Sequence, residues 1–302
     1  MEFDRSPSEQ TFSLLILGQH VTVKCPDGAL MRLLAANFSA MAARGMGSLP
    51  GLEYRIEIRD APPLFSLSRG SETTLEASDA GDLLFLLEKD VTVELQKRRP
   101  DLFFLHSAAI RWQGNACLLA AESGQGKSTT TWALLHHEFG YLSDELSPID
   151  LGAMQVSPYP HALCLKRPTP SYPLPAGAIH LGRTFHLPAE SLPGAVISEP
   201  CPLGAVFLIN YSPDLTAPTL RSISPAEAAA RLYVTALNAL AHARHGLDAV
   251  VRIAQHVPCF AVSSAGLPAT CALIRNAAER VMAGRFEAEN APRIDLQVDP
   301  TL

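Results

Sequence analysis

The sequence predicts a mixed α/β chain, α+β overall, with a small α+β unit over residues 1–100 and a larger α/β unit over 101–283. Three observations predict it. Residues 53–59 alternate Tyr54, Ile56 and Ile58 with charged neighbours, as a half-buried strand does. The apolar run Ala116–Ala121 passes through a glycine-containing turn straight into a helical pattern that starts at Lys127. At Asp101 the texture changes from alternation to nearly continuous apolar strands.

In chain order, the first ten residues are polar and are expected to fray. Ser13 to Lys24, broken at Gly18, reads as strands, and Gly28 to Arg44 as a helix closed by Gly45. Strands at Glu53–Arg59, Leu64–Ser68 and Thr73–Ala77 precede a helix from Gly81 to Lys97. Leu105–Trp112 and Ala116–Ala121 are two strands joined by the turn Gln113-Gly114-Asn115. The helix from Lys127 runs to Phe139, with Trp132, Leu135 and Phe139 on one face and Gly140 as its stop. Tyr141-Leu142-Ser143 is the next strand, ending at Asp144-Glu145. Proline-rich loops with short strands fill 156–176, and Ala205–Asn210 is a strand. Ser224-Pro225-Ala226-Glu227 is a capping box with proline at the first helical position, opening a helix to His245 that Gly246 ends. A strand at Cys259–Ser263 and a helix from Pro268 to Ala283 follow, and 284–302 reads as a disordered tail.

With 302 residues and 47% apolar residues the chain can bury a substantial core. No apolar run approaches the ~20 residues that span a bilayer, and the acidic, polar start is not a signal peptide. The chain is therefore read as soluble and cytoplasmic, with no membrane contact. A net charge of −6 argues against nucleic acid as a partner, and Lys97-Arg98-Arg99 fits the cationic end of a helix. The six cysteines have neither metal-knuckle nor redox spacing and read as reduced, structural residues.

The chemistry concentrates at Ala121-Glu122-Ser123-Gly124-Gln125-Gly126-Lys127-Ser128. The pattern G-x-x-x-x-G-K-[ST] works because backbone N–H groups in a tight turn converge on phosphates. The lysine reaches the terminal phosphates and the hydroxyl binds Mg²⁺. Gly124, Gly126, Lys127 and Ser128 are in place, with Ser123, Gln125 and Thr129 completing the cradle. Ala121 stands where the pattern has its first glycine, which restricts the backbone without removing a phosphate-binding group. The loop predicts a nucleoside triphosphate with Mg²⁺ as its companion; the nucleotide is read as ATP, and the sequence leaves GTP open.

Asp144 and Glu145 end the strand after the loop helix, where an α/β sheet presents its ligand face. One carboxylate there can hold Mg²⁺ and one can take a proton from an attacking hydroxyl. A solvated turn is the plain alternative. Lys166 and Arg183 interrupt apolar or proline-rich stretches and are read as phosphate contacts or as surface charges.

The run His106-Ser107-Ala108-Ala109, then Glu122 to Ser128, then Ser143-Asp144-Glu145, resembles the HPr kinase/phosphorylase group and its HPr kinase-related bacterial branch. The resemblance is strong over 100–150. It extends weakly to 280 through Pro160-His161, Leu165-Lys166, His180-Leu181-Gly182-Arg183 and the Ser224-Pro225 helix. It implies a phosphoenolpyruvate carboxykinase-like fold and a kinase of serine-type hydroxyls. In that reading Asp144 is base and metal partner, Glu145 the second acid, and His106 a group close to the phosphates; a hydrogen-bonded histidine at a strand edge is its plain alternative. Ala121 and the Asp144-Glu145 pair, where the family has Asp-Asp, are departures, and HPr itself is not the expected substrate. The implied acceptor is a hydroxyl of a peptide, a small protein or a metabolite, and homo-oligomerisation stays open. A non-catalytic nucleotide-binding regulator or maturation adaptor is the competing reading, against which both acids count. Carboxykinase-type decarboxylation fits less well, for want of a second metal site.

Overall fold

A computed structural model describes residues 5–43, 51–71 and 73–285. It is a mixed α/β structure with six α-helices and three sheets. The chain divides into two units. Met1–Pro100, Tyr159–Pro168 and Leu174–Leu192 form the first; Asp101–Pro158, Thr169–Pro173 and Pro193–Leu302 form the second. The segments 159–168 and 174–192, which the sequence reading placed in the second unit, belong to the first.

In the first unit, strands β1 (Arg5–Ile16) and β2 (Gln19–Asp27) form a hairpin. Its turn places Leu17 and Gly18 at positive φ, 50° and 76°. Pairing reaches Arg5↔Asp27, so the stretch expected to fray is strand from Arg5 onward. Helix α1 (Gly28–Asn37) starts where Asp27 Oδ1 accepts the Leu30 N–H at 2.7 Å. It ends at Asn37, earlier than the sequence pattern implied, because the Asn37 amide donates back to Leu33 O and Phe38 leaves helical geometry. The expected stop at Gly45 lies outside the described residues. Strands β3 (Leu52–Ile58), β4 (Phe65–Arg69) and β5 (Thr73–Ala77) complete a five-stranded sheet in the order β1-β2-β3-β4-β5. Helix α2 (Ala80–Arg98) is capped by Asp79 and buries Leu83, Leu84, Leu87, Val91 and Leu95 along one stripe.

The second unit opens with β6 (Leu102–Leu105) and β7 (Ala108–Trp112), which the sequence suggested were one strand. They part at His106-Ser107 because β6 pairs with β10 (Ser147–Asp150) while β7 pairs with β8 (Asn115–Ala120). Helix α3 (Lys127–Leu135) is four residues shorter than expected. Phe139 leaves it to pack on Trp112, with ring centroids 4.6 Å apart. Gly140 opens β9 (Gly140–Ser143) instead of closing the helix. A Cβ there would lie 2.8 Å from Ile197 Cδ1, so close packing selects the glycine. A two-residue strand β11 (Gln155–Val156) follows.

The chain then supplies β12 (Leu163–Leu165), β13 (Ile179–Leu181) and β14 (Thr184–Leu187), a three-stranded sheet of the first unit. Ala162 N donates to Asn37 O at 2.8 Å, and His161 Nε2 lies 2.5 Å from Glu88 Oε1 on α2. Back in the second unit, β15 (Cys201–Tyr211), β16 (Thr219–Ser222) and β17 (Cys259–Ser264) complete a nine-stranded sheet.

The Ser224 capping box does open a helix, α4 (Pro225–Tyr233), with Ser224 Oγ accepting the Glu227 N–H. It ends twelve residues before the expected His245. After Val234 the backbone turns to the edge of β6 instead, with His106 N donating to Thr235 O at 2.7 Å and Leu237 N to Phe104 O at 2.9 Å. Gly246, expected as a stop, is the N-cap of a separate helix α5 (Leu247–His256). Helix α6 (Leu267–Met282) closes the described fold; residues 286–302, read as a tail, lie outside it. Even-numbered positions of β8 and β15 (Leu118, Ala120, Val206, Leu208) pack with α4 and α5, while α3 and α6 cover the other face. This sandwich is the usual way an α/β sheet buries both faces.

Register decides where the ends of the strands meet. β8 and β9 are both antiparallel to β7, with Ala108↔Leu119 and Ala109↔Ser143. They are therefore parallel to each other, and β15 runs parallel to β8. The carboxyl ends of β8, β9 and β15 and the start of β7 lie on one edge of the sheet.

Candidate functional site

That edge gathers the loop from β8, the acid pair after β9 and the His106-Ser107 break before β7. The loop takes its shape from two glycines. Gly124 (φ 85°) and Gly126 (φ 89°) adopt the left-handed region, and a Cβ at Gly124 would touch nothing within 4 Å. Conformation, then, and not space, demands glycine at 124. Gln125 N donates to Glu122 O at 3.1 Å, and Thr130 N to Gly126 O at 2.8 Å, starting α3. Gly126 has no side-chain cap to offer, so the first N–H groups of α3 have no capping oxygen from it. Glu122, Ser123 and Gly124 are exposed; Gln125, Ser128 and Thr129 are half-buried.

Lys127 is buried and points to the acid pair. Its ammonium donates to the Asp144 backbone carbonyl and stands 3.4 Å from Asp144 Oδ1 and 3.5 Å from Glu145 Oε1. Burial would lower its pKa, but the two carboxylates outweigh burial and hold it above the ordinary lysine value. Asp144 is 0% exposed. Its Oδ1 has Lys127, while among the described residues no donor meets its buried Oδ2. Glu145 is engaged at both oxygens, by Lys127 at Oε1 and by His106 Nδ1 at 3.3 Å from Oε2. Ser143 Oγ accepts the Leu146 N–H at 3.1 Å and folds the turn that carries both acids.

The structure thus brings together His106, the loop, Lys127, Asp144 and Glu145. Lys166 and Arg183 belong to the first unit, the former after β12 and the latter in the β13–β14 turn, and both are exposed.

The sequence reading missed two contributors. Tyr211, at the carboxyl end of β15, donates its backbone N–H to Gln125 Oε1 at 3.1 Å, so the neighbouring strand holds the loop. Its half-exposed ring carries no sequence signal; only the length of the apolar strand before it pointed to this edge. Ser107 is fully buried and its Oγ lies 2.8 Å from Ser147 Oγ, locking the β6–β7 break. Among the described residues no group of three or more His, Cys, Asp or Glu could hold a metal alone, and no disulfide joins the six cysteines. No helix of the described residues is long and apolar enough to cross a membrane.

No protein-family model matches this chain, and no curated protein matches it. Among solved structures it is similar to the HPr(Ser) kinase/phosphatase from Coxiella burnetii, at 14% identity and a TM-score of 0.33, over 59% of this chain and 98% of that one. The functional reading therefore rests on the geometry of the site.

Proposed function

We propose that the second unit binds ATP with Mg²⁺ on the loop Ser123–Thr129 and transfers its terminal phosphoryl group to a hydroxyl acceptor. The observation that carries this reading is Asp144 Oδ2, a sealed carboxylate oxygen with no donor, one side chain from a lysine of a phosphate-loop pattern. A buried polar atom without a partner is costly and calls for a ligand. A cation or a transferable proton satisfies it, and the neighbouring Lys127 supplies the charge that triphosphates need.

Backbone N–H groups around Gly124 and Gly126 and the start of α3 would cradle the phosphates. The Ser128 hydroxyl and the Asp144 carboxylate are the residues that would hold Mg²⁺, which when bound offsets charge on the transferring group. The acceptor oxygen attacks the terminal phosphorus, the bond to the bridging oxygen breaks, and ADP leaves. The proton of the acceptor hydroxyl goes to Asp144. Phosphates compete with Asp144 for the Lys127 ammonium, so nucleotide arrival frees Asp144 Oδ1 as well. Glu145 keeps His106 and Lys127 in register on the open side. Both acids support transfer over the nucleotide-sensing alternative, because a sensor needs no proton acceptor.

The test is calorimetric titration of ATP·Mg²⁺ into the wild type and Lys127→Ala. The wild type should bind and the variant should bind at least tenfold more weakly. Equal affinity would overturn the loop assignment.

A further inference from the structure

The apolar face of β15 runs out beside the loop. Register with β17 pairs Phe207↔Phe260, Ile209↔Val262 and Tyr211↔Ser264. Side chains alternate along a strand, so 207, 209 and 211 share one face, opposite to that of Val206 and Leu208. It is the face that α3 and α6 cover. Phe207 and Phe260 fill it as a stacked pair with ring centroids 5.2 Å apart, and both are fully buried. Four residues on, the filling stops. Tyr211 stands opposite a serine whose hydroxyl is 3.3 Å from Thr270 Oγ1 of α6. Tyr211 is 50% exposed, and among the described residues its ring has no aromatic partner and its hydroxyl no hydrogen bond.

A half-open tyrosine at a strand end is ordinary, but this one stands against the loop. Its Cβ is 3.8 Å from the place a Cβ on Gly126 would take, and Gln125 Oε1 accepts its N–H at 3.1 Å. Strand order gives a bound triphosphate a direction. The sheet runs β15-β8-β7-β9, so the acid pair after β9 lies to one side of the loop strand and Tyr211 to the other. Lys127 reaches toward the acids, which assigns the terminal phosphate to their side. The nucleoside end then leaves the loop on the β15 side, where the Tyr211 ring is open.

We infer that Tyr211 is a nucleobase platform, its ring stacking on a purine whose triphosphate lies on Ser123–Thr129. Such a stack uses the π-face that every base has and reads none of its edges, so ATP and GTP gain from it alike. The inference rests on the phosphoryl-transfer reading for its nucleotide loop and adds to it the group that holds the base.

The experiment is calorimetric titration of the full chain with ATP·Mg²⁺, GTP·Mg²⁺ and tripolyphosphate·Mg²⁺, the last carrying phosphates and no base. Tyr211→Ala should weaken ATP and GTP about tenfold each, the order of one lost base–aromatic stack, and leave tripolyphosphate unchanged. Tyr211→Phe should bind both nucleotides as the wild type does, because the ring and not the hydroxyl makes the contact. Unchanged ATP affinity in Tyr211→Ala would overturn the inference. An equal loss for tripolyphosphate would overturn it too, since the tyrosine would then act by holding Gln125 and the loop. A loss in Tyr211→Phe as large as in Tyr211→Ala would do the same, making the contact the hydroxyl's. Failure of the stack alone leaves tripolyphosphate bound to the wild type. A wild type that binds neither tripolyphosphate nor nucleotide overturns the phosphate loop and the platform together.

Discussion

Lys127 Nζ stands 3.4 Å from Asp144 Oδ1, and neither side chain has meaningful access to water. The two buried charges offset each other, with Glu145 adding to the support of Lys127, and removing one partner of such a buried pair typically costs about 3–5 kcal/mol. Lys127→Met should lower stability by about that amount, read from urea unfolding. The double variant Lys127→Met/Asp144→Asn should recover most of the loss without recovering ATP binding. A double variant as unstable as the single would show that the lysine acts through packing alone.

Gly124→Ala tests the loop's conformation separately from its charge. At φ 85° an added Cβ meets no atom within 4 Å, so any effect is backbone strain, about 1–2 kcal/mol for an L-residue in this region. The expected result is a modest stability loss with a clear drop in ATP affinity, because the loop amides must re-aim. Unchanged affinity would mean that those amides do not contact phosphate.

Features read correctly from the sequence were those whose signal is local. The Ser224-Pro225-Ala226-Glu227 box named its own N-cap, and the strand–loop–helix run around Lys127 placed the loop at a sheet edge. What escaped depends on partners distant in sequence. Nothing near His106 says that β6 and β7 separate, since the reason is that Ser147 and Leu119 claim different partners across the sheet. The helix to His245 looked continuous because Val234, Leu237 and Leu240 keep a helical apolar rhythm, yet those residues face solvent while Thr235 and Asn238 serve the edge of β6. Membership of 159–168 and 174–192 in the first unit is likewise set by Asn37 and Glu88, more than seventy positions away.

His186 offers a pH readout in the first unit. Burial lowers its pKa from 6.5 to about 4, with the Glu88 carboxylate opposing the shift and His161 adding to it. Its Nδ1 lies 2.8 Å from Asn37 Oδ1. A histidine depressed in the folded state binds its proton more readily when unfolded, so stability is intact above about pH 6.5 and declines as pH falls toward 4. The shift corresponds to about 3 kcal/mol. Unfolding midpoints between pH 4 and 7 should fall in the wild type and flatten in His186→Gln; parallel curves would remove His186 as the cause.

The last prediction separates the two acids by their contacts. Asp144 has one oxygen on Lys127 and one with no donor, whereas both Glu145 oxygens are engaged, by Lys127 and His106. A proton acceptor must have an unoccupied lone pair, and among the described residues no donor meets Asp144 Oδ2. Asp144→Asn keeps the shape and one acceptor oxygen but cannot take a proton, and loss of a general base typically lowers the rate about 10²–10⁴-fold. Phosphate transfer from labelled ATP to a serine peptide should fall by that factor, while ATP affinity falls less than in Lys127→Ala. Glu145→Gln removes a charge that holds Lys127 and His106, so it should weaken transfer less and raise the peptide KM more than it lowers kcat. If Glu145→Gln instead abolishes kcat and Asp144→Asn spares it, the proton goes to Glu145 and Asp144 serves the metal. If both variants transfer at the wild-type rate, neither acid is the base; if the wild type binds ATP and transfers nothing, the site binds nucleotide without turning it over.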